Sequence, residues 1–147
     1  MTEVPAPTRI RVGASQEKQL TIPRSSSTRQ RRALVVNTDP VSTRLCRETL
    51  ERLGFTIERV DSGVAAVVAA RNQTPDLVLM DLQLRDVTAA ETIGWLRSNQ
   101  ALKSVPIIVL GVTHRSQIPA KNASGIAGIG KPLSTSAIER TLRDLCG

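Results

Sequence analysis

From Ala33 onward, short apolar runs alternate with longer stretches in which apolar residues return every three or four positions. The run at 33–36, Ala-Leu-Val-Val, has no polar interruption and predicts a buried strand. Residues 55–60 alternate apolar and polar side chains, the pattern of a strand with one wetter face, nearer a sheet edge. Residues 76–81 are apolar between two acids and predict a central strand. A fourth strand is expected over 105–110, entered through Pro106, a residue tolerated where a strand begins. A fifth, glycine-rich strand is expected over 125–130.

Helical periodicity fills the gaps. Asp39 before Pro40 reads as a helix start: the carboxylate can accept from orphan first-turn amides, and proline lacks only an N–H that the first turn leaves unused. Val41, Leu45, Thr49, Leu50 and Leu53 then share one face, and Gly54 ends the helix. Residues 64–71, rich in Ala and Val, predict a second helix. Thr88 and Glu91 have capping-box spacing for a third, with Ile93 and Leu96 inward and Trp95 flanking. A short helix is expected over 116–124, against the presence of Pro119. Ala137, Ile138, Thr141, Leu142 and Leu145 predict a last amphipathic helix after Ser134 or Ser136. Five strands alternating with five helices predict an α/β fold with a parallel sheet covered by helices.

Before this pattern begins, Pro5, Pro7, Gly13, Pro23 and the Ser-Ser-Ser-Thr run at 25–28 break up a segment without apolar period. The organisation expected is a disordered basic tail over 1–31 and one domain over 32–147. Charge supports the division. Residues 1–32 hold seven Lys/Arg against Glu3 and Glu17, a net +5, whereas the remainder holds thirteen against eleven, a net +2. The basic character therefore belongs to the tail, and nucleic-acid binding is expected only through it.

Composition narrows the function classes further. With 40% hydrophobic residues in 147, one domain can bury a real core. Phe55 and Trp95 are the only aromatics, so that core is aliphatic, and the stacking platforms of single-strand binders are missing. Cys46 and Cys146 are too few for a disulfide framework and lack zinc-type spacing, which fits a reducing, cytoplasmic compartment. No run reaches the ~18 apolar residues of a membrane span, and no secretory signal opens the chain.

In an open parallel sheet, ligands bind at the carboxyl ends of the strands. Those ends are Asn37-Thr38-Asp39, Asp81, Gly111-Val112-Thr113 and Lys131-Pro132. On the stretches Leu-Val-Val-Asn-Thr-Asp-Pro at 34–40, Pro-Asp-Leu-Val-Leu-Met-Asp-Leu-Gln-Leu at 75–84 and Gly-Lys-Pro-Leu at 130–133, residues 32–146 resemble the receiver domain of bacterial two-component response regulators. The resemblance implies a flavodoxin-like (βα)5 fold, doubly wound, with strand order 2-1-3-4-5. It implies Asp81 as phosphoacceptor, Lys131 as the partner of phosphate or carboxylate, the Gln83 backbone carbonyl as a metal ligand, and a cis peptide before Pro132. The partners it implies are a histidine kinase, a phosphotransfer protein or another signalling protein.

The chemistry of such a site is mainly positioning and charge neutralisation, usually by Mg²⁺ and a lysine. Asn37 and Thr38 stand where receivers commonly carry an acidic pair. The site charge thereby falls from about −3 to −1 before Lys131 is counted, so Mg²⁺ binding is expected to be weak, with Asn37, Thr38 and Asp39 as degenerate ligands beside Asp81 and Gln83. Asp39 is read first as a helix cap and second as a rescuing ligand. Gly111 falls where the family usually has Ser or Thr, and Gly128 replaces a bulky switch residue. Thr113 and Asp86 read as loop residues, and His114 as an exposed loop histidine.

The leading expectation is a stand-alone atypical receiver acting as an adaptor, because the chain ends directly after its last helix and output must act through a partner. The alternative is a conventional phosphorylatable single-domain regulator or phosphorelay intermediate. No enzymatic activity of its own is expected: no Gly-rich phosphate loop follows the first strand, and no stacking aromatic stands near the strand ends, against a nucleotide or flavin enzyme.

Overall fold

In the computed structural model, residues 30–118 and 125–146 are described. Five parallel strands, β1 (Arg31–Val36), β2 (Phe55–Val60), β3 (Leu77–Asp81), β4 (Ile107–Leu110) and β5 (Ile126–Ile129), form one sheet in the order β2-β1-β3-β4-β5. This is the expected order, with the alternating strand β2 at an edge and the uninterrupted β3 in the centre. Among the described residues there are four α-helices: α1 (Pro40–Arg52), α2 (Gly63–Asn72) and α3 (Ala89–Arg97) connect the first four strands in turn, and α4 (Thr135–Cys146) follows β5.

Strand alternation divides the core into two layers. Ala33, Val35, Leu77 and Leu79 pack under Cys46 and Leu50 of α1 and Ile138 and Leu142 of α4. Leu34, Val36, Val78 and Met80 pack on the opposite face, against Ala66 and Ala70 of α2 and Ile93 and Leu96 of α3. Small alanines let α2 lie close to the sheet. Each fully buried Leu or Ile contributes roughly 1.5–3 kcal/mol of transfer free energy. Truncating Ile138, which is fully enclosed, to alanine would cost about 2–5 kcal/mol, since the void would add to the lost burial.

The helix ends form as their residues dictate. Asp39 caps α1 with Pro40 in the first turn, Thr88 and Glu91 close a reciprocal capping box on α3, and Ser134 Oγ accepts the Ala137 amide at the start of α4. The helix expected over 116–124 is reduced, among the described residues, to a 3₁₀ turn at Arg115–Gln117, and 119–124 lie outside them. Most of the expected basic tail likewise lies outside the described residues.

Strand β1 starts at Arg31, two residues before the apolar run. The reason is long-range: the Arg31 guanidinium stacks 4.6 Å over the Phe55 ring and donates to Leu53 O at 3.1 Å. Arg32 Nη2 pairs with Glu58 Oε1 at 2.9 Å. Strand β3 starts at Leu77, and Asp76 just before it holds Arg32 twice, its amide donating to Arg32 O at 2.8 Å and its carboxylate accepting the Arg32 amide at 2.8 Å.

Candidate functional site

The carboxyl edge of the sheet brings Asp81 and Lys131 together. Asp81 ends β3 with its side chain only 7% exposed, and Lys131 follows β5 with 39% exposure. Lys131 Nζ lies 2.9 Å from Asp81 Oδ2, while the Gln83 amide donates to Asp81 Oδ1 at 2.8 Å. Each oxygen of the carboxylate therefore has a partner from this chain. The Lys131–Pro132 peptide is cis.

Asn37 stands at the same level as Asp81. Val36 pairs with Met80, so Asn37 and Asp81 are the next positions of neighbouring strands, and alternation carries both toward the α1 side. Asn37 is wholly buried. Its Oδ1 accepts the Asp39 amide at 2.7 Å, and its Nδ2 is enclosed without a hydrogen-bond partner. Thr38, half-buried, follows where strand pairing has ended.

Asp39 faces the helix. Its Oδ1 accepts the Val41 amide at 3.1 Å and its Oδ2 accepts the Ser42 hydroxyl at 2.7 Å. These bonds, the Ser42 hydroxyl first, hold its carboxyl below the usual range, and the charge of Lys131 adds to them. Cys46 of α1 lies beneath the site. Burial pushes its thiol up to about 11; Lys131 opposes that shift and Asp81 adds to it, so both charges reach the sulfur.

The two switch positions are filled differently from a receiver with the usual side chains. Gly111 has φ +87°, a left-handed conformation that a residue with a Cβ adopts at a cost, and a Cβ there would touch Lys131 Cε at 3.8 Å. At Gly128, an added Cβ would come within 2.9 Å of Val112 Cγ2 and 3.0 Å of Ile118 Cδ1. Side chains of the β4–β5 connection thus occupy the space a bulky residue would need. Gln117 braces that connection, its Oε1 accepting from the amides of Thr113 and His114 at 2.7 and 3.0 Å.

Asp86 does more than sit in solvent. Its two oxygens accept the amides of Gly63 and Val64 at 3.0 Å each, which ties the β3–α3 loop to the start of α2. These two bonds, Gly63 first, lower its carboxyl pKa. Gly63 has to be a glycine, because a Cβ would run into Thr92 Oγ1 and Val87 Cγ2. An open cleft of about 570 Å³ lies alongside, between this loop and Gln117, and Asp81 and Lys131 do not line it. Chemistry, not concavity, marks the site.

These residues are a poor match for Mg²⁺. The ion wants hard oxygen ligands in near-octahedral array, usually including one or two carboxylates. Asn37 has committed its oxygen to a backbone amide and keeps a nitrogen donor, and both Asp39 oxygens are bonded inside the first turn of α1. Among the described residues, no group of three or more His, Cys, Asp or Glu side chains could hold a metal ion.

A family model described as the response regulator receiver domain matches residues 33–143. The chain belongs to the receiver family. Among curated relatives, this receiver is 29% identical over 116 residues to the polar-differentiation response regulator DivK of Brucella ovis, covering 78% of this chain and 94% of DivK. Chemotaxis response regulator CheY4 of Vibrio cholerae superposes with a TM-score of 0.72 at 21% identity, over 79% of this chain and 98% of CheY4. The receiver domain of sensor histidine kinase PA1611 from Pseudomonas aeruginosa, described with a magnesium ion coordinated in its active-site cleft, superposes with 0.69 at 24% identity, over 79% and 97% of the two chains. These structural likenesses carry the fold. No described helix of this receiver is long and apolar enough to cross a membrane.

Several features of the site escaped the sequence. The Asp86 clamp joins residues 23 positions apart, the place of Cys46 under the acid needs the packing of α1, and the orphan Asn37 nitrogen needs the turn at Asp39. Asx geometry, an Asn two residues before a helix cap, was the one local signal for the last of these.

Proposed function

We propose that this receiver is a stand-alone cytoplasmic signalling adaptor that binds a partner protein through its helical surface, without enzymatic activity of its own and without requiring Mg²⁺-dependent phosphorylation at Asp81. The observation that supports this most directly is the state of Asp81: one oxygen is held by Lys131 at 2.9 Å and the other by the Gln83 amide at 2.8 Å. Lys131 supplies the positive charge that balances the carboxylate. The glycines at 111 and 128 point the same way, since neither offers a side chain to couple the site to the surface.

Beryllofluoride, an analogue of the phosphoryl group, tests this reading. The adaptor reading predicts no Mg²⁺-dependent binding, and capture of the signalling partner unchanged in Asp81→Asn. Tight binding of the analogue that requires Mg²⁺ and disappears in Asp81→Asn would reject it.

The second reading is a phosphorylatable receiver served by a histidine kinase or phosphotransfer protein. It is favoured by the same buried acid and lysine, which have the residue types and closeness that phosphoryl transfer needs. Here Asp81 would take the phosphoryl group and Lys131 would neutralise its oxygens. The beryllofluoride experiment separates the two readings.

A further inference from the structure

The outward side of α2 is apolar and uncharged. From Gly63 to Ala70 the helix holds only glycine, valine and alanine. Ala66, Ala69 and Ala70 turn to the sheet and are buried, whereas Val64 and Val68, one turn apart on the opposite side, are each 52% exposed. Asp86 accepts the amides of Gly63 and Val64, so the start of this ridge is held in place.

Charge stands only at the two ends of the ridge. Asp61 comes three residues before Val64, just outside the Ser62 cap, and Arg71 three residues after Val68. Both are exposed, and neither forms an ion pair among the described residues. A two-fold axis over Ala66 would lay an antiparallel second copy of α2 on the first, Val64 of each against Val68 of the other and Asp61 of each against Arg71 of the other. The helix dipole also suits an acid at the start and a base at the end. It gives no reason for the exposed valines between them.

We infer that α2 is a self-association face, which pairs with α2 of a second copy of this chain about a two-fold axis. The charge pattern selects that occupant: two such ridges meet without desolvating a charge and set each acid beside a base, whereas a partner of one predominant charge is attracted at one end and repelled at the other. A helix of 10 residues is only about 15 Å long, so the contact belongs with transient interfaces of less than about 1,200 Å². Helices α1 and α4 pack on the other side of the sheet and stay uncovered, so the dimer presents two copies of that surface. The inference goes beyond the adaptor reading and holds whether or not Asp81 accepts a phosphoryl group.

Sedimentation equilibrium of the full chain, at concentrations up to about 1 mM, tests this with charge swaps. The wild-type mass should climb from 15.9 kDa toward twice that value and no further, because a two-fold contact closes on itself. Val68→Lys should remain a monomer, and the uncharged change Val68→Ser should associate more weakly than wild type. Asp61→Arg and Arg71→Asp should each weaken association several-fold, since each sets like charges together twice. Their combination restores opposite charges and should return association to within about twofold of wild type. Val41→Lys, on the exposed part of α1, should associate as wild type does.

A wild-type chain that stays monomeric over the whole range overturns the inference, and so does growth past the dimer. Association that survives both changes at Val68, or that Val41→Lys abolishes, places the contact elsewhere and overturns it as well. A combined swap no better than the weaker of its two single variants removes the Asp61–Arg71 pairing and the two-fold axis with it. None of these results bears on partner capture by the Asp81→Asn chain, which tests the adaptor reading separately.

Discussion

Lys131 reaches Asp81 across a strand: the 2.9 Å ion pair joins the end of β5 to the end of β3, with β4 between them. The lysine stem crosses beside Gly111, at the end of β4, where a Cβ would lie 3.8 Å from Cε and 3.9 Å from Cδ. A side chain at 111 would thus begin in ordinary van der Waals contact with the lysine stem that forms the pair.

Removing the lysine tests how much the pair contributes. Lys131→Met leaves a nearly buried carboxylate with only the Gln83 amide, and partial exposure of the lysine limits the loss to about 1–2 kcal/mol. Asp81→Asn leaves the lysine free to hydrate and should cost less than about 1 kcal/mol. Urea denaturation of the two single variants and the double should show non-additivity, the double losing less than the sum.

Installing the family's usual side chain at 111 should not repair the switch. Gly111→Thr forces a β-branched residue into a left-handed conformation, at about 1–2 kcal/mol. Gly111→Asn should be the milder change, since asparagine tolerates that region. Equilibrium unfolding would rank the two, and a threonine variant as stable as wild type would mean that the backbone at 111 relaxes.

Acid should weaken the fold through Asp39 and Asp86. Both carboxyls are depressed below 3.8 in the folded chain, Asp39 chiefly by Ser42 and Asp86 chiefly by the Gly63 amide. A depressed folded pKa means stability that is present above the unfolded value and disappears as pH falls through the folded one. Stability should therefore decline as pH drops below 3.8, the ordinary value of both groups. Asp86→Ala should melt a few degrees lower at neutral pH, with a flatter acid limb in the same calorimetric series.

Cys46 should be inert in the folded chain. Its thiol is buried and pushed up to about 11, so almost no thiolate forms near neutral pH. Alkylation followed by mass spectrometry of the peptide containing Cys46 should show labelling only under denaturing conditions. Because the folded value is raised above 9.0, stability should also fall as pH climbs through it toward 11.

The sheet was legible in the sequence because its signals are local. Ala33 to Val36 and Leu77 to Met80 are apolar on both faces, Asp39-Pro40 and Thr88-Glu91 announce helix starts, and the strand ends then collect Asp81 and Lys131. What escaped depends on contacts between distant residues. Arg31 joins β1 only because Phe55 and Leu53 receive it, and Asp86 caps a helix that begins 23 residues earlier. The missing charges at 37 and 38 could be read from the sequence. The direction of the Asn37 amide could not, since it is set by the fold of the Asn37–Asp39 turn.

The most direct test is a Mg²⁺ titration of the wild-type chain followed through the amide resonances of Asn37, Asp81 and Gln83. A pocket closed by its own lysine predicts that these three signals stay in place while exposed carboxylates show only weak, unsaturable drift. A saturable shift of all three at submillimolar Mg²⁺ would contradict it.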